Sequence, residues 1–231
     1  MIQSPLTINT AFEIGSVPIT MPVVVTWGLM AVLALSGVLA TRRLALAPDR
    51  YQAAVELIVE AIADQIHGTM RVEPRPYVPL IGTLFLFILV ANWSSLVPGV
   101  EPPTAHIETD AALGLIVFAA IIYFGIRARG IGGYLKTFAE PSIVMVPLNL
   151  VETFTRTFSL IVRLFGNVMS GVFIIGIVLS LAGLLVPIPL MALELLTGAI
   201  QAYIFTVLAM VFIAGALSET GAAGTEKKEP S

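Results

Sequence analysis

An arginine, whose guanidinium does not release its proton at biological pH, stands inside an apolar run. In RTFSLIVRLFGNVMSG, residues 156–171, Arg163 has Asn167 four positions after it, Ser159 four before and Arg156 seven before. A charge near a bilayer centre costs a few kcal/mol or more, so such residues are rare, face protein or water, and mark functional paths. The polar positions Glu152, Arg156, Ser159, Arg163, Asn167 and Ser170 are spaced 4, 3, 4, 4 and 3, which is one face of an α-helix. Glu194, Thr197 and Gln201 repeat the pattern at 3 and 4. A permanent cation among hydroxyls, an amide and carboxylates fits a path for ions. The structural alternative is an ion pair between Arg163 and Glu194, with the other groups serving as interhelical hydrogen bonds. Acid–base catalysis fits less well, because no His or Cys lies near the stripe and no phosphate-loop or metal-cluster motif is present. No cofactor is expected.

The rest of the chain supplies the setting. Of 231 residues, 57% are hydrophobic and 12% charged, and the mean hydropathy is +0.95, far from a soluble domain's balance. The absence of cysteine excludes disulfides, Cys-ligated metals and thiol nucleophiles. A net charge of −3 gives no reason to expect nucleic acid as a partner. The opening MIQSPLTINTAFEIGSVPIT carries no Lys or Arg, so it lacks a signal peptide's basic start and reads as mature sequence outside the cytoplasm.

Apolar runs long enough to span hydrocarbon lie at about 18–40, 77–97 and 111–126, and two longer runs at 147–185 and 190–217 make a hairpin within 147–217. The expectation is an all-α integral membrane protein, one membrane domain over 1–231 with five membrane helices. Arg42, Arg43, Arg50, Arg71 and Arg75 follow the first span, whereas VPGVEPPTAHIETD after the second has no basic residue. Short cytoplasmic loops carry the Lys/Arg excess, so the first loop reads as cytoplasmic and the second as external. Arg127, Arg129, Lys136, Lys227 and Lys228 then fall on the cytoplasmic side, and only Arg156 and Arg163 do not.

Between the first two spans, residues 50–70 place Ala54, Leu57, Ile58, Ala61, Ile62 and Ile66 at helical spacing, with Glu56, Glu60 and Asp64 on another face. This predicts an amphipathic helix on the cytoplasmic membrane surface or docked to a partner, with His67 a surface residue. From Pro147 to Leu185 the fourth helix would be about 58 Å long. Hydrocarbon is about 30 Å thick. Such a helix must tilt strongly or break near Gly166 or Gly171, and with the fifth it predicts a strongly tilted hairpin. Trp27, Tyr77 and Trp93 read as interfacial anchors. Asn92, Ser94 and Ser95 read as a span-end cap, with wetting of an external channel as the alternative, and Glu219 as a solvated end.

RLFGN, 163–167, preceded by NLVETFTRTFSLIV and followed by IQAYIFTVL, 200–208, resembles subunit a of the F-type ATP synthase membrane sector. GIGGYLKTF, 130–138, is similar to that family's loop before the fourth membrane helix, and PIPLMALELLTGAIQAYIF to its last helix. The resemblance covers about 75–218 well. It implies that Arg163 is the stator arginine facing a rotating ring of c subunits, that Gln201 is the last-helix glutamine beside it, and that Asn167 and Ser159 are the matching residues four after and four before. It implies two aqueous half-channels meeting the ring on opposite sides of Arg163, with b subunits of a peripheral stalk and the rest of the ATP synthase complex as partners. The short chain without a signal peptide reads as bacterial, which makes a bacterial inner membrane the expected location. Nucleotide chemistry would belong to those partners. One departure stands out: many members carry an acid nine residues after the arginine, where this chain has Val172, and Glu194 occupies the position seven before the glutamine. Glu194 is therefore expected to supply the carboxylate of the external half-channel, and Glu152, four residues from Arg156, that of the cytoplasmic one. A secondary transporter with a midplane site and a non-conducting scaffold are the other classes considered. The choice between H⁺ and Na⁺ stays open, because it rests mainly with the c subunit.

Overall fold

A computed structural model describes residues 10–14, 17–42, 50–97, 100–139, 145–183 and 186–218. The readings attached to Arg43, Glu219, Lys227 and Lys228, and to residues 1–9 of the N-terminal segment, lie outside these. A short antiparallel pair, β1 (Thr10–Ile14) and β2 (Val17–Thr20), opens the described chain. The sequence reading did not anticipate it. Six α-helices follow among the described residues, α1 (Met21–Thr41), α2 (Arg50–Met70), α3 (Val78–Trp93), α4 (Ile107–Ala139), α5 (Met145–Ala182) and α6 (Ile188–Ser218), with short 3-10 turns at Ser94–Leu96 and Pro103–Ala105 between α3 and α4. Five of them, all but α2, are long and apolar enough to cross a membrane.

Burial follows helical periodicity and shows which face of each helix turns inward. On α5 the enclosed residues are Thr157, Leu160, Leu164 and Val168, and on α6 they include Gln201, Ala202, Phe205, Thr206, Ala209, Met210 and Ile213. Leu113, Val117, Ala120 and Phe124 of α4 and Ile81, Leu84 and Ile88 of α3 complete a core that Ile66 and Met70 close from the end of α2. Only Pro22 of α1 is buried, and Trp27, Met30, Leu35 and Leu39 stand exposed, a surface suited to hydrocarbon. The first half of α2 also stays open: Leu57 and Ile58 are exposed, while Ile62 packs on Gly82 of α3.

Several expectations change in detail. The third span is longer than 111–126, because the acids Glu108 and Asp110 sit in the first turn of α4, where the helix dipole favours negative charge. At its other end α4 runs past Arg127 to Gly130, which has φ +72° and kinks it. GIGGYLKTF thus continues as helix beyond a bend instead of forming a loop. α5 is unbroken through Gly166 and Gly171, so of the two alternatives the break is excluded. Gly183, at φ +74°, stands just past its last turn, a left-handed position that ends helices at little cost. Tyr77 is half-buried and packs its ring 4.6 Å from that of Phe124, so α4 holds it and not lipid alone.

A close helix approach joins α4 to α5. A Cβ at Gly114 would lie 2.5 Å from Ile161 Cγ1, the close backbone contact that small residues permit in membranes. Alanine normally improves a helix interior by about 1 kcal/mol over glycine. Here overpacking reverses the sign: Gly114→Ala should destabilise by about 1–3 kcal/mol. Thermal unfolding in detergent checks this, and adding Ile161→Ala should recover part of the loss.

Candidate functional site

Because Leu160, Leu164 and Val168 fix the inward face of α5, the polar stripe is turned to the flank of the helix. There Glu152, Arg156, Ser159 and Arg163 line an open groove of about 580 Å³, walled by Leu148, Val151 and Leu160 of α5 and by Leu208 and Phe212 of α6. The four polar groups are brought together as their spacing requires. Along α5 the groove runs from Leu148 to Arg163, roughly 22 Å at 1.5 Å per residue.

The two arginines of the groove differ in one decisive respect. Arg156 donates to Glu152 one turn away and holds its guanidinium 5.6 Å from the centre of the Phe212 ring, within reach of a cation–π attraction. Its charge is satisfied inside the chain. Arg163 has no ion pair among the described residues, and Glu194, the partner of the structural alternative, does not lie within 4 Å of it. Its guanidinium stands exposed at the inner end of the groove.

Glu194 is half-buried on α6, with Oε1 enclosed and unbonded. It lies against Gly171 of α5, where a Cβ would come within 2.8 Å of that oxygen. The missing side chain at Gly171 is what admits the carboxylate, next to Val172. Gln201 is enclosed, its Nε2 has no partner, and no hydrogen bond links it to Arg163. Thr197 and Ser170 give their hydroxyls to their own helices, at Glu194 O (3.1 Å) and Asn167 O (2.9 Å). Asn167 is half-buried and Ser159 exposed.

Sequence reasoning missed the lock between α3 and α6. Asn92 does not cap its helix. It is buried, donates through Nδ2 to Gly198 O (2.9 Å) and accepts from the Thr104 hydroxyl (2.7 Å). Trp93 Nε1 donates to Leu195 O (3.1 Å). Ser94 and Ser95 do bond their own helix end, at Ala91 O and Asn92 O. At the opposite end of the bundle Arg129 Nη2 reaches Leu217 O (3.3 Å). The groove walls Leu208 and Phe212 were also missed, since an apolar residue at helical spacing carries no sign of which groove it borders.

The chain matches the family model for the ATP synthase A chain over residues 23–214. Similar proteins include ATP synthase subunit a 2 of a Bradyrhizobium species, 60% identical over 94% of this chain and 97% of the relative. ATP synthase subunit a of Albidiferax ferrireducens is 47% identical over 87% and 88% of the two chains. ATP synthase subunit a 1 of Chlorobaculum parvum is 46% identical over 89% and 92%.

Removing the Asn92 side chain leaves the Gly198 carbonyl and the Thr104 hydroxyl unsatisfied in a buried place. Asn92→Ala should therefore cost about 1–3 kcal/mol. Thermal unfolding beside Ser95→Ala, which loses only a local bond, checks the difference.

Proposed function

Since the chain belongs to the ATP synthase A chain family, we propose that it is the stator of the rotary motor, with Arg163 facing the carboxylates of a c-subunit ring between two half-channels. It is a non-catalytic, proton-translocating subunit of the membrane sector and a part of the ATP synthase complex, integral to the membrane. The observation that carries the finer reading is the groove that ends at an arginine with no counter-ion among the described residues.

A carboxylate travelling on the ring must be ionised to pass a fixed guanidinium and neutral to enter lipid, where a bare charge is prohibitive. At about 4 Å, the two charges attract by roughly 4 kcal/mol at an effective dielectric of about 20. That holds the carboxylate deprotonated and still lets it leave. Because Arg163 keeps its proton, it also blocks a direct leak between the half-channels.

The groove from Leu148 to Arg163 suits the cytoplasmic half-channel, with Glu152 and Arg156 at its mouth and Ser159 on its wall. Glu194 in the niche made by Gly171 suits the external one, with Asn167, Ser170, Thr197 and Gln201 between them. Ser170 and Thr197 retain acceptor lone pairs for water after bonding their own backbones. The Arg129–Leu217 contact supports one side for the ends of α4 and α6, and the basic residues make it cytoplasmic. The N-terminus is then external and the C-terminus cytoplasmic. α2 lies along the cytoplasmic surface. An unbroken α5 of 38 residues, about 57 Å long, must tilt strongly to stay within a bilayer, which suits a helix laid along a curved ring. The peripheral-stalk b subunits are the expected neighbours on the exposed helix faces.

In vesicles carrying the whole complex, Arg163→Ala should abolish ATP-driven pumping while the complex stays assembled. Pumping at the wild-type rate would contradict the stator reading. Glu194→Ala should lower pumping without loss of assembly. Gly171→Ala should do the same by displacing the Glu194 carboxylate, whereas Gly176→Ala, with nothing within 4 Å of a Cβ there, should pump normally.

A further inference from the structure

The first turn of α4 holds a carboxylate for which the half-channels above have no use. Asp110 is 0% exposed, and neither of its oxygens has a hydrogen-bond partner. No charged side chain of α3, α5 or α6 lies within bonding distance of it. Its neighbour Glu108 is exposed. Burying an unpaired carboxylate is costly, and an acid placed so invites a function that loads and unloads it.

Three ionisable groups descend from solvent to that point. Glu101 has 58% of its side chain exposed and His106 only 13%, and His106 Nε2 lies 3.5 Å from Glu101 Oε2. The Asp110 amide donates to the His106 carbonyl at 3.4 Å, so Asp110 follows one helical turn further in. Two residues before His106, the Thr104 hydroxyl bonds Asn92, which bonds α6 at Gly198. Glu194 and Gln201 lie four before and three after Gly198, and Glu194 Oε1 and Gln201 Nε2 are the enclosed, unbonded polar atoms of that stretch. The same short segment therefore carries a graded set of acids and bases and is tied through Asn92 to Gly198, which stands between Glu194 and Gln201 on α6.

We propose that Glu101, His106 and Asp110 form a proton relay from the external surface to the Glu194–Gln201 segment of α6. The proposal rests on the stator reading and adds to it residues that neither helix of the hairpin supplies. In the inward direction one ring nitrogen of His106 gains a proton from Glu101 or water and the other gives one up. The Asp110 carboxylate accepts that proton and then releases it to water beside α6, returning to its ionised form. One proton enters and one leaves, and the outward direction reverses each step.

The test uses the whole complex in vesicles, with Asp110→Asn, His106→Gln and Arg163→Ala compared with wild type. Asparagine keeps the shape of the side chain without a titratable proton. The relay predicts that Asp110→Asn lowers ATP-driven pumping several-fold, that coupled ATP hydrolysis falls in step, and that the protons moved per ATP stay unchanged. His106→Gln should shift the same quantities in the same direction. Wild-type pumping in Asp110→Asn would overturn the relay, and so would lost pumping with hydrolysis undiminished, which marks a loosened fold. Should Asp110→Asn fail to assemble, His106→Gln decides by the same readings. Pumping in Arg163→Ala would bring down the stator reading itself, whereas a silent Asp110→Asn beside a dead Arg163→Ala would bring down the relay alone.

Discussion

A guanidinium keeps its proton at any pH a cell meets, so the fold must accommodate Arg163 as a charge. Neutralisation, the usual escape of a buried ionisable group, is closed to it. Among the described residues, the other arginine of α5, Arg156, has both a carboxylate and an aromatic face beside it, and Arg163 has neither. The position is tolerable because α5 turns Arg163 into a groove and not into the packed core. On the proposed stator reading, what the chain leaves unpaired is there for a carboxylate of the c-subunit ring to pair in passing.

Everything that orients α5 therefore bears on that charge. Leu160, Leu164 and Val168 seat one face against the bundle, and the close approach of Gly114 to Ile161 fixes α4 against it. On α6, Glu194 depends on the space left at Gly171. The height of α6 is held by Asn92 at one end and by Arg129 at the other. Lipid offers little hydrophobic drive between helices, so small residues and buried hydrogen bonds carry the alignment. Among the described residues, the side-chain contacts of Asn92, Trp93 and Arg129 are the polar ones the alignment of α6 rests on.

The number of spans and the polar stripe were legible because both follow from local rules. Helix length is set by hydrocarbon thickness, and residues three and four apart share a face wherever a helix forms. That Glu152, Arg156, Ser159 and Arg163 share one side of α5 was legible for the same reason, whereas the groove they line was not. Contacts between distant segments were not. Asn92 looked like a cap because its sequence neighbours Ser94 and Ser95 are caps, and nothing local points to Gly198, 106 positions away. Asp110 closes VPGVEPPTAHIETD, which read as an external loop, and only the packing of α4 shows it enclosed. Tyr77 looked like a lipid anchor until Phe124 covered its ring. Gly166 and Gly171 were the places where a break, the alternative to a strong tilt, was considered, although a glycine inside a helix also serves as room for a neighbour, as Gly171 does for Glu194.

The central claim is that the flank of α5 bearing Arg163 faces the rotor. Because the chain contains no cysteine, single cysteines can be placed without background, at Ser159 and Asn167 on the stripe and at Phe154 and Phe173 on other exposed parts of α5. Each would be paired with one cysteine on the c subunit beside its carboxylate, and disulfide formation measured in the assembled complex. The account predicts cross-links from Ser159→Cys and Asn167→Cys and none from Phe154→Cys or Phe173→Cys. Cross-links from the phenylalanine positions and none from the stripe would mean that Arg163 faces away from the ring.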